Sequence, residues 1–523
     1  MKKIITLLIA LVAVLMPLES TGEEIEEIVV VGSFEMSKDS DVSQDFTIIE
    51  TVMPAMSYTA GGYGGFAGFS ERGTQPVHTT VFLNGVPAND AGSGWYDFAH
   101  DMITGLESVK VVSGPNGVLY GSGSLGGTVF INDSFSNQGV VRYSTDNYLF
   151  NATLLDSISV SQFNVNNGSV RNDNTESDDY KNTTVKFGKD FADFSVNVNY
   201  TDYDYDYDDC FTATFESSND CLQQGEKLNV SLRNDNVTLG YSSNKSEYFT
   251  EEVSTWSSDA ERYYLDVREN FAVGTPAADL VLGLTFNQDK YIGLTQDDFS
   301  AYAVITFDER FQFGSRVSQD AAVHRIGYSV DGFFVNASTS YRNPTLYEQN
   351  GDAFVNSNRS LDPEEAFGWE IGFKGLSYFN YSFDQGIDYD FGANQFVNTG
   401  EYDTSGVRYM NMFSVPWGGV SIMAGYTDSD LPRVPKYKTR LAYIASINGV
   451  RYDLSYTAQF DRGIDFTGKT ISDVKTVDFV VSKDISSNLS LNFTVQDLFD
   501  REFEIIPGYD AGGRTFFLTL TYR

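Results

Sequence analysis

The 523-residue chain carries 35 Lys and Arg against 72 Asp and Glu, a formal net charge of −37. That balance excludes nucleic acid as a partner, because phosphate binding needs a basic face. Aromatic residues make up 15%, with 40 Phe and 32 Tyr, and Gly outnumbers Pro 46 to 12. Extended strands with interfacial aromatic girdles have this composition.

The chain opens Met1-Lys2-Lys3, continues with an apolar run from Ile4 to Met16 and leaves it through Pro17-Leu18-Glu19-Ser20. A basic start, a short apolar stretch and a small-residue exit read as a secretory signal over residues 1–22. The run is too short to cross a bilayer as a helix, which takes roughly 20 residues. No later stretch is long and apolar enough either. An exported chain of this kind is a secreted soluble β protein or an outer-membrane barrel. Export also implies an oxidising compartment, where Cys210 and Cys221 favour one loop disulfide over free thiols.

Residues 25–32, Ile25-Glu26-Glu27-Ile28-Val29-Val30-Val31-Gly32, form a short β-prone run flanked by acids. Such a segment can add as a strand to a partner's sheet edge, or it can begin the chain's own sheet. Residues 33–133 are Gly-rich with short apolar runs. From 134 to 523, apolar and polar residues alternate. Phe194, Val196, Val198 and Tyr200 oppose Ser195, Asn197, Asn199 and Thr201. Leu489, Leu491, Phe493 and Val495 oppose their polar neighbours, and Phe516, Leu518, Leu520 and Tyr522 repeat the pattern. Period two means a sheet with two unlike faces. In a transmembrane antiparallel β-barrel the polar face lines the lumen; in a soluble sandwich the apolar face meets a dry core. The second region allows 22 strands at about 18 residues each, and an open barrel of about 16–18 strands also fits.

Three stretches carry more. Glu71-Arg72-Gly73-Thr74 precedes Thr79-Thr80-Val81-Phe82-Leu83-Asn84-Gly85-Val86-Pro87. Then comes Leu106-Glu107-Ser108-Val109-Lys110-Val111-Val112-Ser113-Gly114-Pro115-Asn116-Gly117-Val118-Leu119-Tyr120-Gly121, followed by Gly126-Gly127-Thr128-Val129-Phe130-Ile131. In order, spacing and glycine placement this region resembles the plug domain of TonB-dependent outer-membrane receptors. Beside it, Ile28, Val29, Val30 and Val31 look like the TonB box. The likeness extends through Asn343-Pro344-Thr345-Leu346-Tyr347-Glu348, Leu361-Asp362-Pro363-Glu364-Glu365 and Trp369-Glu370-Ile371-Gly372 to Asp497-Leu498-Phe499-Asp500-Arg501. It is nearest to the cobalamin receptor group. It implies a plug over residues 33–133 inside a barrel over 134–523, a periplasmic TonB partner, and no enzymatic activity. Three departures stand out. Ser113 and Asn116 occupy positions where the family usually has basic residues that pair with wall acids. Asp497 replaces the usual Asn. The sequence ends Tyr522-Arg523 rather than on an aromatic.

The resemblance places two plug segments at the outward apex. One holds Tyr58 and Tyr63; the other holds Asn89, Ser93, Trp95, Tyr96, Phe98 and His100. Aromatic surface with a few polar groups suits a large, mostly neutral ligand. These residues are the expected substrate contacts, with packing of the plug as their alternative use. Asp202-Tyr203-Asp204-Tyr205-Asp206-Tyr207-Asp208-Asp209-Cys210 continues a strand. An unbroken strand turns its tyrosines inward and its aspartates outward, so this stretch must stand above the hydrocarbon. Asp204, Asp206, Asp208 and Asp209 are candidate Ca2+ ligands, or a solvated acidic ladder; no other cofactor is expected. His78, His100 and His324 are too scattered for a metal triad, which leaves His100 as a haem ligand for a minority reading.

The expected function is TonB-dependent import of a scarce solute by a monomeric barrel in outer-membrane lipid. The acid excess favours cobalamin or a related corrinoid over an anionic catecholate. A ferric-siderophore or haem receptor is the alternative within the family, and a passive porin or binding-only barrel the alternative outside it.

Overall fold

The computed structural model describes residues 64–523 apart from 101–105, 146, 167–177, 213, 215, 274–277, 309, 353, 417, 465–467 and 511–512, together with the backbones of Ser33–Met36 and Met56–Tyr58. The signal segment, the run Ile28–Val31 and Tyr63 lie outside the described residues, as does the side chain of Tyr58.

Twenty-two strands, from Gln138–Tyr143 to Thr515–Tyr522, close into one antiparallel barrel. The closing seam pairs the last strand with the first, Leu518 opposite Tyr143 and Tyr522 opposite Gly139. Closure removes every free edge, so each strand backbone finds its partners within the barrel wall, as hydrocarbon requires. The alternation is realised as expected. Phe516, Leu518, Leu520 and Tyr522 face out at 42–59% exposure, while Phe517, Thr519 and Thr521 face the lumen and are buried.

The two ends differ in their connections. Where the chain enters and leaves the barrel, strands are joined by two to four residues. At the other end the loops include residues 208–220, 343–363, 385–401 and 497–514. Short periplasmic turns and long outer loops orient the barrel. Strand length agrees. Val253–Val273 has 21 residues, about twice the 9–11 that cross a bilayer. Its outer half pairs with Val237–Thr250, which carries outward Lys245 and Glu247, and Lys245 lies 3.3 Å from Asp259. Charges in that direction are sustainable only above the lipid.

Inside the barrel sits a five-stranded sheet in the order Ser33–Met36, Leu106–Ser113, Gly127–Asp133, Thr79–Leu83, Val86–Pro87. The pair Thr79–Leu83 and Gly127–Asp133 is parallel and therefore needs a long crossover. That crossover supplies the apical loop 88–100. Val81, Val109, Val111, Val129 and Ile131 form the core of this plug, with Tyr96 and Phe98 packed into it. Each such side chain contributes about 1.5–3 kcal/mol on full burial.

Leu284 faces outward near mid-strand. Leu284→Arg should lower barrel stability by about 2–4 kcal/mol, whereas Glu247→Arg should cost less than about 1 kcal/mol; urea titration of the folded form in lipid, read by heat-modifiable gel mobility, measures both.

Candidate functional site

The plug is fixed to the wall by buried ionic contacts, beginning with Glu71-Arg72-Gly73. Arg72 and Gly73 both take left-handed backbone conformations, φ 52° and 79°. For Arg72 this costs about 1–3 kcal/mol unless surrounding contacts impose it, and they do. Its guanidinium donates to Glu370 Oε1 at 2.6 Å and to the Tyr381 hydroxyl, and lies 4.7 Å from the Phe379 ring centre. Its carbonyl accepts from Thr404 Oγ1 at 2.7 Å, and that of Gly73 accepts from Ser429 Oγ at 2.9 Å. A Cβ at Gly73 would come within 2.8 Å of the same Thr404 hydroxyl. Glu71 Oε1 accepts from Arg408 and from Ser113 Oγ, both at 2.7 Å. Burial alone would raise the Glu71 pKa, but Arg408, Arg72 and the Ser113 hydroxyl outweigh it and hold the carboxyl below its usual range.

Of the departures noted above, Ser113 donates to Glu71 within the plug, while Asn116 reverses the polarity of anchoring. Around Asn116 the wall supplies the cations and the plug supplies neutral acceptors. Arg325 donates to Asn116 Oδ1. Arg316 donates to the carbonyls of Val118 at 2.9 Å and Leu119 at 3.1 Å, in the short helix Gly117–Tyr120. A guanidinium can bind several carbonyls in one plane, which an ammonium cannot.

A second cluster joins the plug to the outer loops. Thr345 caps the helix Leu346–Asn350, and Glu348 reaches back to the Thr345 amide at 2.7 Å. Glu348 also grips Arg342 through two bonds of 2.9 and 3.0 Å. Arg342 contacts Glu364, whose Oε2 lies 3.3 Å from His78 Nε2 of the plug and whose Oε1 accepts from the Ile387 amide at 2.6 Å. Tyr402 and Phe383 stack beside His78. The loops at 343–363 and 385–401 thus meet one plug histidine through carboxylates.

A plug threaded through such a barrel is also what the comparisons find. The family model for the TonB-dependent receptor plug domain matches residues 27–128, and that for the TonB-dependent receptor-like β-barrel matches residues 78–498. The chain belongs to the TonB-dependent receptor family. Among solved structures it is similar to the ferric enterobactin receptor PfeA of Pseudomonas aeruginosa, at 15% identity and a TM-score of 0.70 over 94% of this chain and 99% of that one. The siderophore receptor PirA of Acinetobacter baumannii matches at 15% identity and 0.70, over 94% and 98%. PiuA of the same organism matches at 13% and 0.66, over 94% and 96%. At such identities the likeness is one of fold.

The receptor places the expected substrate contacts differently from one another. Trp95 is 43% exposed and rests on Phe66, with ring centres 4.9 Å apart. Ser93 is half-buried and closes a turn on Asp90 Oδ1. The others turn inward. Asn89 ties the loop to the plug strand Thr79–Leu83, through the Val81 amide and the Thr79 carbonyl, and also donates to the Gly94 carbonyl. Tyr96 and Phe98 pack edge to face in the plug core, 4.6 Å between centres. His100 stacks on wall residue Tyr203 at 3.5 Å, with Nδ1 3.2 Å from the Tyr180 hydroxyl. Its Nε2 lies 3.3 Å from Asp97, a distance compatible with an ion pair. Burial, helped by Lys227, pushes its pKa well below the usual range, so the ring is neutral and the contact is not ionic. Buried, with one face on Tyr203, Nδ1 on the Tyr180 hydroxyl and Nε2 beside Asp97, His100 is not placed to bind haem iron. A dense aromatic run between glycines signals bulk to be buried, and here the plug interior took Tyr96 and Phe98 while the wall took His100.

The strand Ser195–Tyr207 is unbroken, with Tyr203 and Tyr205 buried inward. Asp204 and Asp206 therefore point out, about 7 Å apart along the strand. Asp204 accepts from Gln224 at 2.8 Å, and Asp208 is buried in the following turn. Among the described residues no three acidic, His or Cys side chains gather as a metal set, so the structure does not bring Asp204, Asp206, Asp208 and Asp209 together. Beyond them Cys210 and Cys221 are joined by a disulfide, with Cα atoms 6.0 Å apart.

The anchoring residues Arg316, Arg325 and Arg408 were not distinguishable in the sequence from surface cations. Their signal was an arginine on the polar face of a period-two strand. Arg72→Ala leaves Glu370 buried and unpaired, which should cost about 3–5 kcal/mol of plug anchoring and appear as increased ion conductance in planar bilayers. Glu71 contributes stability above its unfolded pKa of 4.5 and loses it as pH falls through the lower folded value. Conductance should therefore rise as the pH falls below 4.5 in the native protein, and much less in Glu71→Gln.

Proposed function

We propose that this receptor imports an anionic ferric siderophore, using TonB bound to Ile28–Val31. The carrying observation is a crowd of cations at one side of the outer mouth. Leu441 and Tyr443 face lipid, so Lys438 and Arg440 on the same strand, Tyr437–Ile447, face the lumen near its outer end. Lys438 lies within electrostatic reach of both Glu71 and Arg462. In the loop, burial pushes the Arg462 pKa down to about 10; Asp473 opposes this and Arg433 adds to it. The guanidinium remains charged at neutral pH. Like charges held together in a partly desolvated place favour an anion between them. Overall acidity does not decide the matter, because the segment 408–475 contains nine basic and six acidic residues.

The corrinoid expectation rested on the overall acid excess and on the apical aromatics, of which Tyr96 and Phe98 are plug core and His100 lies against the wall. Receptors of similar fold are ferric enterobactin and siderophore receptors, which supports the same reading. The energising step follows from strand addition: residues 25–31 pair with a periplasmic sheet edge, and force applied there reaches the plug sheet.

Binding of ferric siderophores and of cyanocobalamin to the purified receptor, followed by intrinsic fluorescence, tests the substrate class. Ferric catecholates or carboxylates should bind, and Lys438→Gln with Arg462→Gln should weaken them by about tenfold or more, a loss of at least ~1.4 kcal/mol. Binding of cyanocobalamin alone would refute the proposal. Deleting residues 25–31 should abolish uptake by cells while leaving surface binding intact; uptake that survives the deletion would rule out the energised mechanism.

A further inference from the structure

We infer that a hard cation binds between plug and barrel wall, held by the side-chain oxygens of Asn287, Asp298 and Asn343. A cavity of about 90 Å3 lies between the wall strands Ala278–Tyr291 and Leu294–Phe307 and the plug's apical loop, with Asn89, Ala91 and Gly94 on the plug side. Three atoms of its lining residues are buried acceptors without a hydrogen-bond partner: Asn287 Oδ1, Asp298 Oδ1 and Asn343 Oδ1. Buried polar atoms are rarely left this way singly, and here three belong to one cavity.

The positions are imposed by the fold. Asn287 and Asp298 are cross-strand partners on the inward face, which sets their Cβ atoms about 4.5–5.5 Å apart. Asn343 follows the wall strand Phe333–Arg342, and its backbone N–H donates to Ser122 Oγ of the plug at 3.0 Å. The three oxygens thus belong to two wall strands and to the point where the wall meets the plug.

Charge separates a cation from water as the occupant. The other ionic groups of the cavity are matched. Arg262 holds Asp289 through bonds of 2.7 and 2.8 Å, and Arg342 is held by Glu348 and Glu364. Asp298 is 9% exposed and forms no ion pair within 4 Å among the described residues; its Oδ2 has the Tyr341 hydroxyl at 3.5 Å. The neighbouring Arg316 spends its donors on Val118, Leu119, Thr285 and Ser300. Arg316 and Arg262 act on the Asp298 carboxylate through space without an ion pair; water could meet its lone pairs but would add no charge, whereas a cation meets both. Carboxylate and amide oxygens without nitrogen or sulfur select a hard ion such as Ca2+ or Na+. With one carboxylate, most of the coordination shell would be water and the affinity moderate. Such an ion would bridge wall and plug on the side away from the proposed anion site, and the inference does not depend on the siderophore reading.

The full-length receptor, purified in detergent and stripped with chelator, can be titrated with Tb3+ and read by tyrosine-sensitised luminescence, Tyr341 being a ready donor. One saturable component displaced by Ca2+ or Na+ is expected. Asp298→Asn and, separately, Asn343→Ala should weaken it by about tenfold or more, each checked for folding by heat-modifiable gel mobility. An unchanged component in whichever variant folds would place the ion elsewhere, among the acidic loops. The absence of any saturable, displaceable component would mean that water alone fills the cavity. Either result would overturn the proposal.

Discussion

A closed barrel of 22 strands encloses more space than its own side chains can fill, and its backbone closure forbids it to collapse. That constraint governs the rest of the molecule. The lumen must be occupied by a folded domain, and the domain must be held by contacts that survive burial yet can be broken by force from one end. Apolar packing alone would not give such contacts a definite geometry. The receptor uses arginines: Arg72 reaches out from the plug to Glu370, and Arg316, Arg325 and Arg408 reach in from the wall. Guanidinium groups keep their charge under burial and bind acceptors in fixed planes, so the plug has one seating rather than many.

The same contacts link the plug to what happens outside. His78 sits at the start of Thr79–Leu83, and through Glu364 and Arg342 it touches the short helix Leu346–Asn350 and the loop that follows Asp384. A ligand that shifts those loops must disturb a buried carboxylate with more than one partner, and such groups do not tolerate partial contact. This gives a physical route between the outer loops and the plug without any large hinge.

Net charge and local charge diverge in this protein for a related reason. Acidic residues concentrate on outward-facing strand tips and loops, where solvent and ions screen them. Part of the basic minority, including Arg316, Arg325 and Arg408, seats the plug and, in the proposed function, Lys438 and Arg462 attract an anion. Bulk acidity therefore describes the exterior and says little about the mouth.

The sequence by itself determined the elements. Period-two alternation decides which face of each strand meets lipid, because one misplaced charge in hydrocarbon is costly. The glycines and β-branched residues of 64–133 decide where the plug turns and extends. The unbroken strand through Tyr203 and Tyr205 was likewise legible, being short-range. What the sequence could not decide is which side chains share a neighbourhood. Trp95, Tyr96, Phe98 and His100 are near-neighbours in the chain and chemically alike, yet one meets solvent and three are buried, because the crossover folds over the plug core. Arg72 and Glu370 are 298 positions apart. Asn287, Asp298 and Asn343 carry no motif at all. Only barrel closure around the plug brings such groups together, since strand register and lumen shape, not local propensity, set distances between residues remote in the chain.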